Sequence, residues 1–318
     1  MTGILDAASY RLLNAWQRGF PLEPRPFAAI AKSCGLDEDD VIQRFGQLKS
    51  RGLIDRIGPV FRPNTAGAST LAAMAVPPAR LESVAAQVSA HAGVNHNYER
   101  ENRINLWFVA TAPSEAALAC TLSAIEHDTG LPVLRLPLVE EFHIDLGFDL
   151  EDHSVPRAAK QAPVAPLAEE ERQLAGRLAP GLPLEARPFA GFGVPEQELI
   201  GTLKRWLDAG VVRRIGAVVR HRHLGYEANA MVVWDVPDAE AGTAGRRLAA
   251  DPAVTLCYQR ARALPDWPYN LYCMVHGRER ASVTQAIERL GARHGLAHCA
   301  REVLFSKRCF SQRAARYG

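Results

Sequence analysis

The sequence predicts an α+β protein, a tandem repeat whose copies are each a winged helix-turn-helix followed by a ferredoxin-like βαββαβ domain. Three observations predict it. Short motifs return after about 160 residues. Each copy opens with helix-period patterning that gives way to a twisted extended run. Each then continues as alternating strand and helix patterns in the order βαββαβ.

The repeat is visible residue by residue. EPRPFA at 23–28 returns as EARPFA at 185–190, and RGLIDRIGPVFRP at 51–63 returns as AGVVRRIGAVVRH at 209–221. NYERE at 97–101 returns as CYQRA at 257–261, and INLWFV at 104–109 as YNLYCM at 269–274. The matching pairs Arg25 and Arg187, Ile57 and Ile215, and Tyr98 and Tyr258 stand 162, 158 and 160 residues apart, a drift that loop insertions produce. A period this long is a domain duplication rather than a solenoid. The expected segments are a helix-turn-helix over 1–62, a ferredoxin-like domain over 63–150, a second helix-turn-helix over 167–222 and a second ferredoxin-like domain over 223–318. The Pro- and Ala-rich stretch 151–166, which has no apolar period, is expected to link them.

In the first copy a helix is expected over 8–19. Pro26 stands at the first position of a second helix that ends near Gly35. Asp37 caps a third over 38–51, whose apolar Val41, Ile42, Phe45 and Leu48 fall at helical spacing. Gly52 stops it, and 53–61 is extended with a twist at Gly58-Pro59. The second copy repeats the plan with helices over 169–178, 188–192 and 196–209 and an extended run over 211–220. Strands then follow near 70–76, 94–100, 105–110 and 133–144, with helices near 80–91 and 115–129. Their counterparts are strands near 228–236, 254–262, 270–276 and 297–305, and helices near 239–250 and 279–294.

Composition narrows the class. Of 318 residues 47% are apolar and 23% charged, which suits a folded chain with ordinary cores. The net charge of +2 is too small to mark a nucleic-acid binder. No run approaches the roughly 20 apolar residues of a membrane helix, and the N-terminus lacks the basic region of a secretory signal. The six cysteines show no CxxC spacing and read as reduced thiols. A soluble cytoplasmic protein with no membrane partner is expected.

Charge placement bears on function. A DNA-reading helix sets its first turn against phosphates, yet that turn carries Asp37, Glu38, Asp39 and Asp40 in one copy and Glu196 and Glu198 in the other. Acids there suit the helix dipole and repel DNA. Basic residues gather at and after the wings instead: Arg56 and Arg62 in the first, and Arg213, Arg214, Arg220, His221, Arg222 and His223 in the second. Arg100, Arg103, Arg260 and Arg262 lie on or beside the second strand of each βαββαβ.

The copies also disagree in informative places. Val94, His96, Tyr98 and Arg100 alternate and are expected to share a strand face, and their counterparts are Val254, Leu256, Tyr258 and Arg260. Asn270, Tyr272, Met274 and His276 are expected to share another face, with Leu271, Cys273 and Val275 turned to the helices. Thr111 stands where His276 does in the other copy. Each half thus has a strand histidine that its twin lacks. The loop 263–269, with Pro265, Trp267 and Pro268, is longer than its twin.

A winged helix-turn-helix followed by βαββαβ resembles the Lrp/AsnC transcription regulators, across essentially the whole chain and twice over. The motifs HNYERE with INLWFVATAP, and LCYQRARALPDWPYNLYCMVHG with LFSKRCF, look closer to the sirohaem decarboxylases, in their fused two-half form (NirDL). That resemblance implies removal of carbon dioxide from two acetate side chains of sirohaem to give didecarboxysirohaem, on the way to the haem of cd-type nitrite reductase. A DNA-binding regulator of the Lrp/AsnC type is the alternative, and a tetrapyrrole carrier without chemistry a third class.

With that substrate implied, the residues acquire roles. Histidine is suited to give a proton near neutral pH. His96 and His276 are therefore expected as general acids or as holders of the reacting acetates, assisted by Tyr98 and Arg100. Guanidinium forks suit a polycarboxylate. Arg56, Arg213, Arg214, Arg220, Arg222, Arg260 and Arg262 are the expected holders of peripheral carboxylates. Trp267, Tyr269 and Tyr272 are expected to stack on or orient the macrocycle. His221 and His223 are weaker candidates as ligands to the substrate iron. His91, His143, His153, His294 and His298 receive no role. No HExxH, CxxC or Gly-rich phosphate loop occurs, so no protein-held metal and no cofactor beyond the substrate's own iron are expected. The expected partners are a tetrapyrrole substrate, no DNA, and a twin half forming an internal pseudo-dimer. The sequence leaves open a homodimer of chains and contact with other proteins of the same haem pathway.

Overall fold

Capping residues and apolar periods place the elements of the computed structural model, which describes residues 5–144, 147, 164 and 167–316. The expected linker, apart from Val164, and His153 within it lie outside the described residues.

In the first copy α1 (Ala7–Ala15) starts at Asp6, whose carboxylate accepts the Ala8 and Ser9 N–H groups at 3.0 Å. α2 (Pro26–Cys34) begins on its proline and stops at Gly35, which is left-handed at φ 67°. α3 (Glu38–Ser50) buries Val41, Phe45 and Leu48; Asp37 holds the cap position without the expected side-chain hydrogen bond. β1 (Ile54–Phe61) follows. The βαββαβ segment then runs β2 (Ala68–Met74), α4 (Leu81–Ala90), β3 (Val94–Arg100), β4 (Leu106–Ala112), α5 (Glu115–Thr129), β5 (Leu134–Leu136) and β6 (Leu138–Ile144). The last expected strand is thus two, divided at Pro137.

The second copy starts with α6 (Glu169–Leu178). The helix expected over 188–192 is a set of turns. From the shared phenylalanine to the next helix the first copy has 11 positions, Phe27 to Glu38, and the second has 7, Phe189 to Glu196. That deletion removes about one helical turn, and the remaining stretch carries Gly191 and Gly193. α7 (Glu196–Asp208), β7 (Val212–Val219), β8 (Ala228–Trp234), α8 (Asp238–Ala249), β9 (Leu256–Arg260), β10 (Leu271–Gly277), α9 (Arg280–Arg293) and β11 (Arg301–Gln312) complete the chain. β11 runs to Gln312 rather than stopping at 305. Its distal half reads as polar surface because Lys307 and Arg308 bind Glu99 of β3 at 2.7 and 2.6 Å.

Contacts divide the described residues into two compact units that cut across the repeat: 5–67 with 167–224, and 68–144 with 225–316. In the first unit β1 pairs antiparallel with β7, so each wing strand is completed by its twin. The recurrent Ile-Gly of the wings has a steric origin. A Cβ on Gly216 would strike the backbone of Trp16 and Gln17, just after α1, and one on Gly58 would come to a tight 3.0 Å from the Gly181 Cα. The Ala217 N–H donates to the Trp16 carbonyl at 2.8 Å, and Leu182 N–H to Ile57 at 2.7 Å.

In the second unit the strands form one antiparallel sheet in the order β5-β2-β4-β3-β11-β8-β10-β9-β6. Its first and last strands are consecutive, joined through Pro137, so the sheet comes round on itself. β11 makes the equivalent crossing without a break, pairing β8 over 301–305 and β3 beyond. Each half keeps a core under its own helices, around Val84, Phe108 and Leu122 in one and Leu248, Leu271 and Ile287 in the other. A third core joins the halves on the inner face: Leu71, Trp107, Met231, Tyr258, Trp267, Tyr272 and Leu304. The pairing of halves is therefore the packing of two sheet faces that neither half covers alone.

Inner and outer faces follow the expected alternation with one correction. Leu271, Cys273 and Val275 lie under the helices. Val94 and Val254 do too, and do not share the face of Tyr98 and Tyr258. On β3 a register shift between Val94 and His96 breaks the alternation.

Candidate active site

Two arginines at equivalent positions mark the inner face of the closed sheet. Arg100 ends β3 and donates through Nη1 to the Leu304 carbonyl at 3.1 Å and Ser306 Oγ at 3.0 Å, both on β11. Arg260 ends β9 and donates through Nη1 to the Leu136 carbonyl at 2.7 Å. Each thus reaches from one half to the strand by which the other crosses over. Each also stands over the tyrosine two residues earlier, at 5.8 Å for Tyr98 and 4.6 Å for Tyr258. Burial lowers the proton affinity of both guanidiniums, and the groups that raise it are tyrosines, not carboxylates.

Around them the face is aromatic. Tyr258 stacks on Tyr272 at 5.5 Å, and His96 on Tyr98 at 6.4 Å. Tyr98 donates its hydroxyl to Gln312 Oε1 at 3.2 Å. Tyr272 is fully buried, accepts from Trp267 Nε1 at 2.7 Å, and has its phenol pushed up by burial.

His276 joins this cluster from β10. Its Nδ1 lies 2.7 Å from Thr255 Oγ1. Burial first, and then the positive charge of Arg100, lower its pKa to about 4. Resting His276 is therefore neutral at pH 7 and cannot serve as the ready proton donor that an ordinary imidazole would be. The charge of Arg100 from one half thus bears on His276 from the other. Sequence reasoning does not single out Thr255 or the inward Tyr258. The preserved Tyr98–Tyr258 pair was the available signal for the latter; for Thr255 there was none, since its twin is Asn95.

The remaining expected residues have other partners. Trp267 is 2% exposed and packs edge-on against Trp107 at 5.0 Å, with Tyr269 at 4.8 Å beyond it. It closes the inner core and offers no open stacking face. Arg262 is held by Asp238, by Asp235 at 2.7 Å and by the Val236 carbonyl at 2.7 Å, at the start of α8. It braces the fold and is not an open anion site.

Arg56, Arg213, Arg214, Arg220 and Arg222 belong to the helical unit, so the expected set is divided between two units. Asp55 accepts from Arg56 at 2.7 Å and Arg220 at 2.8 Å. Burial pushes that carboxyl up, but the two guanidiniums outweigh it and hold it below its ordinary value. Arg214 is 5% exposed and donates to the Gln17 and Ala217 carbonyls, which makes it a buried anchor. Arg213 lines a cleft of about 240 Å³ with Arg18, Phe20, Leu207, Arg214 and Ile215. Burial, then the charge of Arg62, lowers its pKa to about 10. Arg222 is partly buried on the short turn at His221–Leu224, and His223 Nδ1 lies 2.8 Å from the Gly52 carbonyl. Among the described residues no group of three or more His, Cys, Asp or Glu side chains could hold a metal, and no helix is long and apolar enough to cross a membrane.

Known proteins resemble this chain over nearly its whole length. Residues 66–143 and 223–311 match the family described as AsnC-like ligand binding domain, and 9–54 the siroheme decarboxylase NirDL-like HTH domain. The chain is 47% identical to the siroheme decarboxylase NirDL subunit of Paracoccus denitrificans, across 98% of this chain and 97% of that one. It is 33% identical to the siroheme decarboxylase of Hydrogenobacter thermophilus, across 96% and 94%. The NirD subunit of Stutzerimonas stutzeri is 51% identical over 47% of this chain and 99% of its own length. A crystal structure of the siroheme decarboxylase NirDL superposes with a TM-score of 0.69 at 29% identity, covering 98% of this chain and 94% of that one. The same enzyme in complex with an iron-uroporphyrin III analogue gives 0.66 at 28% identity, with the same coverage.

Proposed function

This chain belongs to the siroheme decarboxylase family, in its fused NirDL form, and from that membership we propose that it removes carbon dioxide from two acetate side chains of sirohaem, giving didecarboxysirohaem. The observation that carries the reading is the pair Arg100 and Arg260. Among the described residues neither guanidinium has a carboxylate partner, although Arg100 is buried and Arg260 partly buried. A buried unpaired charge is costly, and a polycarboxylate substrate supplies the missing counter-charge.

For each acetate the bond between the methylene carbon and the carboxylate carbon breaks. Carbon dioxide leaves, the electron pair stays on the methylene carbon and is spread by the macrocycle, and one proton converts that carbon to a methyl group. No oxidant or reductant is consumed. Arg100 and Arg260 hold carboxylates against aromatic walls in a setting that excludes water, which favours loss of the charged group. His276 starts neutral, and a carboxylate brought against it raises its proton affinity. It can then take a proton and return it to the carbon. His96, beside Tyr98, is the candidate for that role toward a second acetate.

Several features speak against a DNA-binding role. The acids at the start of α3 and α7 are engaged by the arginines of the repeated RPFA motif, Glu38 by Arg25 and Glu196 by Arg187. The second copy lacks its middle helix, and each wing strand is taken up by its twin.

The test is anaerobic incubation of the purified chain with sirohaem, followed by mass spectrometry. Loss of two carboxyl groups supports the reading; bound but unaltered sirohaem overturns it. The variants His96→Ala and His276→Ala should bind sirohaem yet lose product formation. Unchanged turnover in both would remove the histidines from the chemistry.

A further inference from the structure

We propose that Thr255 is a positioning residue for His276, fixing the imidazole so that Nδ1 carries the proton and Nε2 meets the substrate carboxylate. The proposal rests on the decarboxylase reading and adds to it a residue that touches no substrate itself.

The geometry carries it. Thr255 is 6% exposed and sits just before β9, where its N–H donates to the Met274 carbonyl at 3.0 Å. Its hydroxyl also donates to that carbonyl, at 3.2 Å. The hydroxyl has one proton, so with that proton directed to Met274 its oxygen is left as an acceptor. The His276 Nδ1 at 2.7 Å is the group it can accept from. In a neutral ring Nδ1–H places the lone pair on Nε2. That nitrogen can accept a proton when an acid or a protonated carboxyl arrives, and can afterwards return it to the methylene carbon.

The first half argues against a purely structural contact. There the positions of Thr255 and His276 are Asn95 and Thr111, and Thr111 Oγ1 donates to the Gly93 carbonyl at 3.3 Å. The same strands form with neither partner of the Thr–His pair, so the fold does not require it. The pair is confined to the second half, where the Arg100 charge bears on His276.

Three measurements on the full chain test this. Nitrogen-15 NMR of histidine-labelled protein reports the tautomer directly. The wild type should show a protonated Nδ1 at His276, assigned by its loss in His276→Ala; a protonated Nε2 overturns the proposal. Thr255→Val, nearly isosteric, should spread His276 over both tautomers and lower kcat by about 10- to 100-fold, the range expected of a misplaced group, with KM changed by less than about twofold. Thr255→Ser should restore both the tautomer and kcat. Loss in KM alone, or an unchanged tautomer in Thr255→Val, overturns the assignment. If the wild type failed to decarboxylate sirohaem, the functional reading would fall, while the tautomer measurements would still decide what Thr255 does.

Discussion

The His276 imidazole, contributed by the second half, is held neutral by its burial and by the Arg100 guanidinium, contributed by the first, with a pKa of about 4. Neither half alone contains this relationship. It exists because the two sheets close over a common inner face.

That relationship sets a pH dependence. Above the ordinary histidine value of about 6.5 both folded and unfolded chains carry a neutral His276. As pH falls below it, the unfolded chain takes up a proton that the folded chain refuses until about pH 4. Stability is thus full above pH 6.5 and declines between 6.5 and 4, by on the order of 2–3 kcal/mol from this group. Denaturant unfolding of wild type and His276→Ala across that window should show a shallower decline in the variant. Parallel curves would mean that His276 titrates normally.

Arg100→Met removes a buried charge that lacks a carboxylate partner. The empty protein should keep its stability within about 1 kcal/mol, because replacing such a charge by an apolar side chain offsets the lost hydrogen bonds. Sirohaem binding should weaken at least roughly 10-fold, about 1.4 kcal/mol, and the His276 pKa should rise. Titration by absorbance and by NMR would check both. Undiminished affinity would show that Arg100 does not meet the substrate.

Trp267 separates packing from stacking. Its ring is 2% exposed against Trp107 and Tyr272, so Trp267→Ala should cost about 3–5 kcal/mol in stability. Trp267→Phe should recover most of it. A variant of unchanged melting temperature and weakened sirohaem binding would restore the stacking role expected from sequence.

Gly216 tests the helical unit. Gly216→Ala would drive a methyl group into the Trp16 and Gln17 backbone, where no side chain can swing aside. Overpacking of this kind costs about 1–3 kcal/mol. Chemical denaturation should show a loss in that range, whereas a neutral substitution would mean that the segment after α1 moves freely from β7.

The sequence by itself determined the duplication, the fold of each copy and most element positions, because these rest on local signals. Pro26 and Gly35 bound α2, and alternation on β10 turns Leu271, Cys273 and Val275 to the helices. It also exposed where the copies diverge, at His96 against Leu256 and His276 against Thr111. The tertiary structure alone decided which polar groups were already engaged. Arg56, Arg220 and Arg262 read as open cations in one dimension, but Asp55, Asp235 and Asp238 meet them in three, and Arg214 turns inward to backbone carbonyls. The converse holds for Arg100, which the fold buries, and for Arg260, which it partly buries, neither with a carboxylate partner among the described residues. Whether a charge is paired depends on how the elements are brought together: Arg220 meets Asp55 where β1 pairs with β7, Arg262 meets Asp235 and Asp238 within one half, and Arg100 and Arg260 reach from one half to a strand of the other.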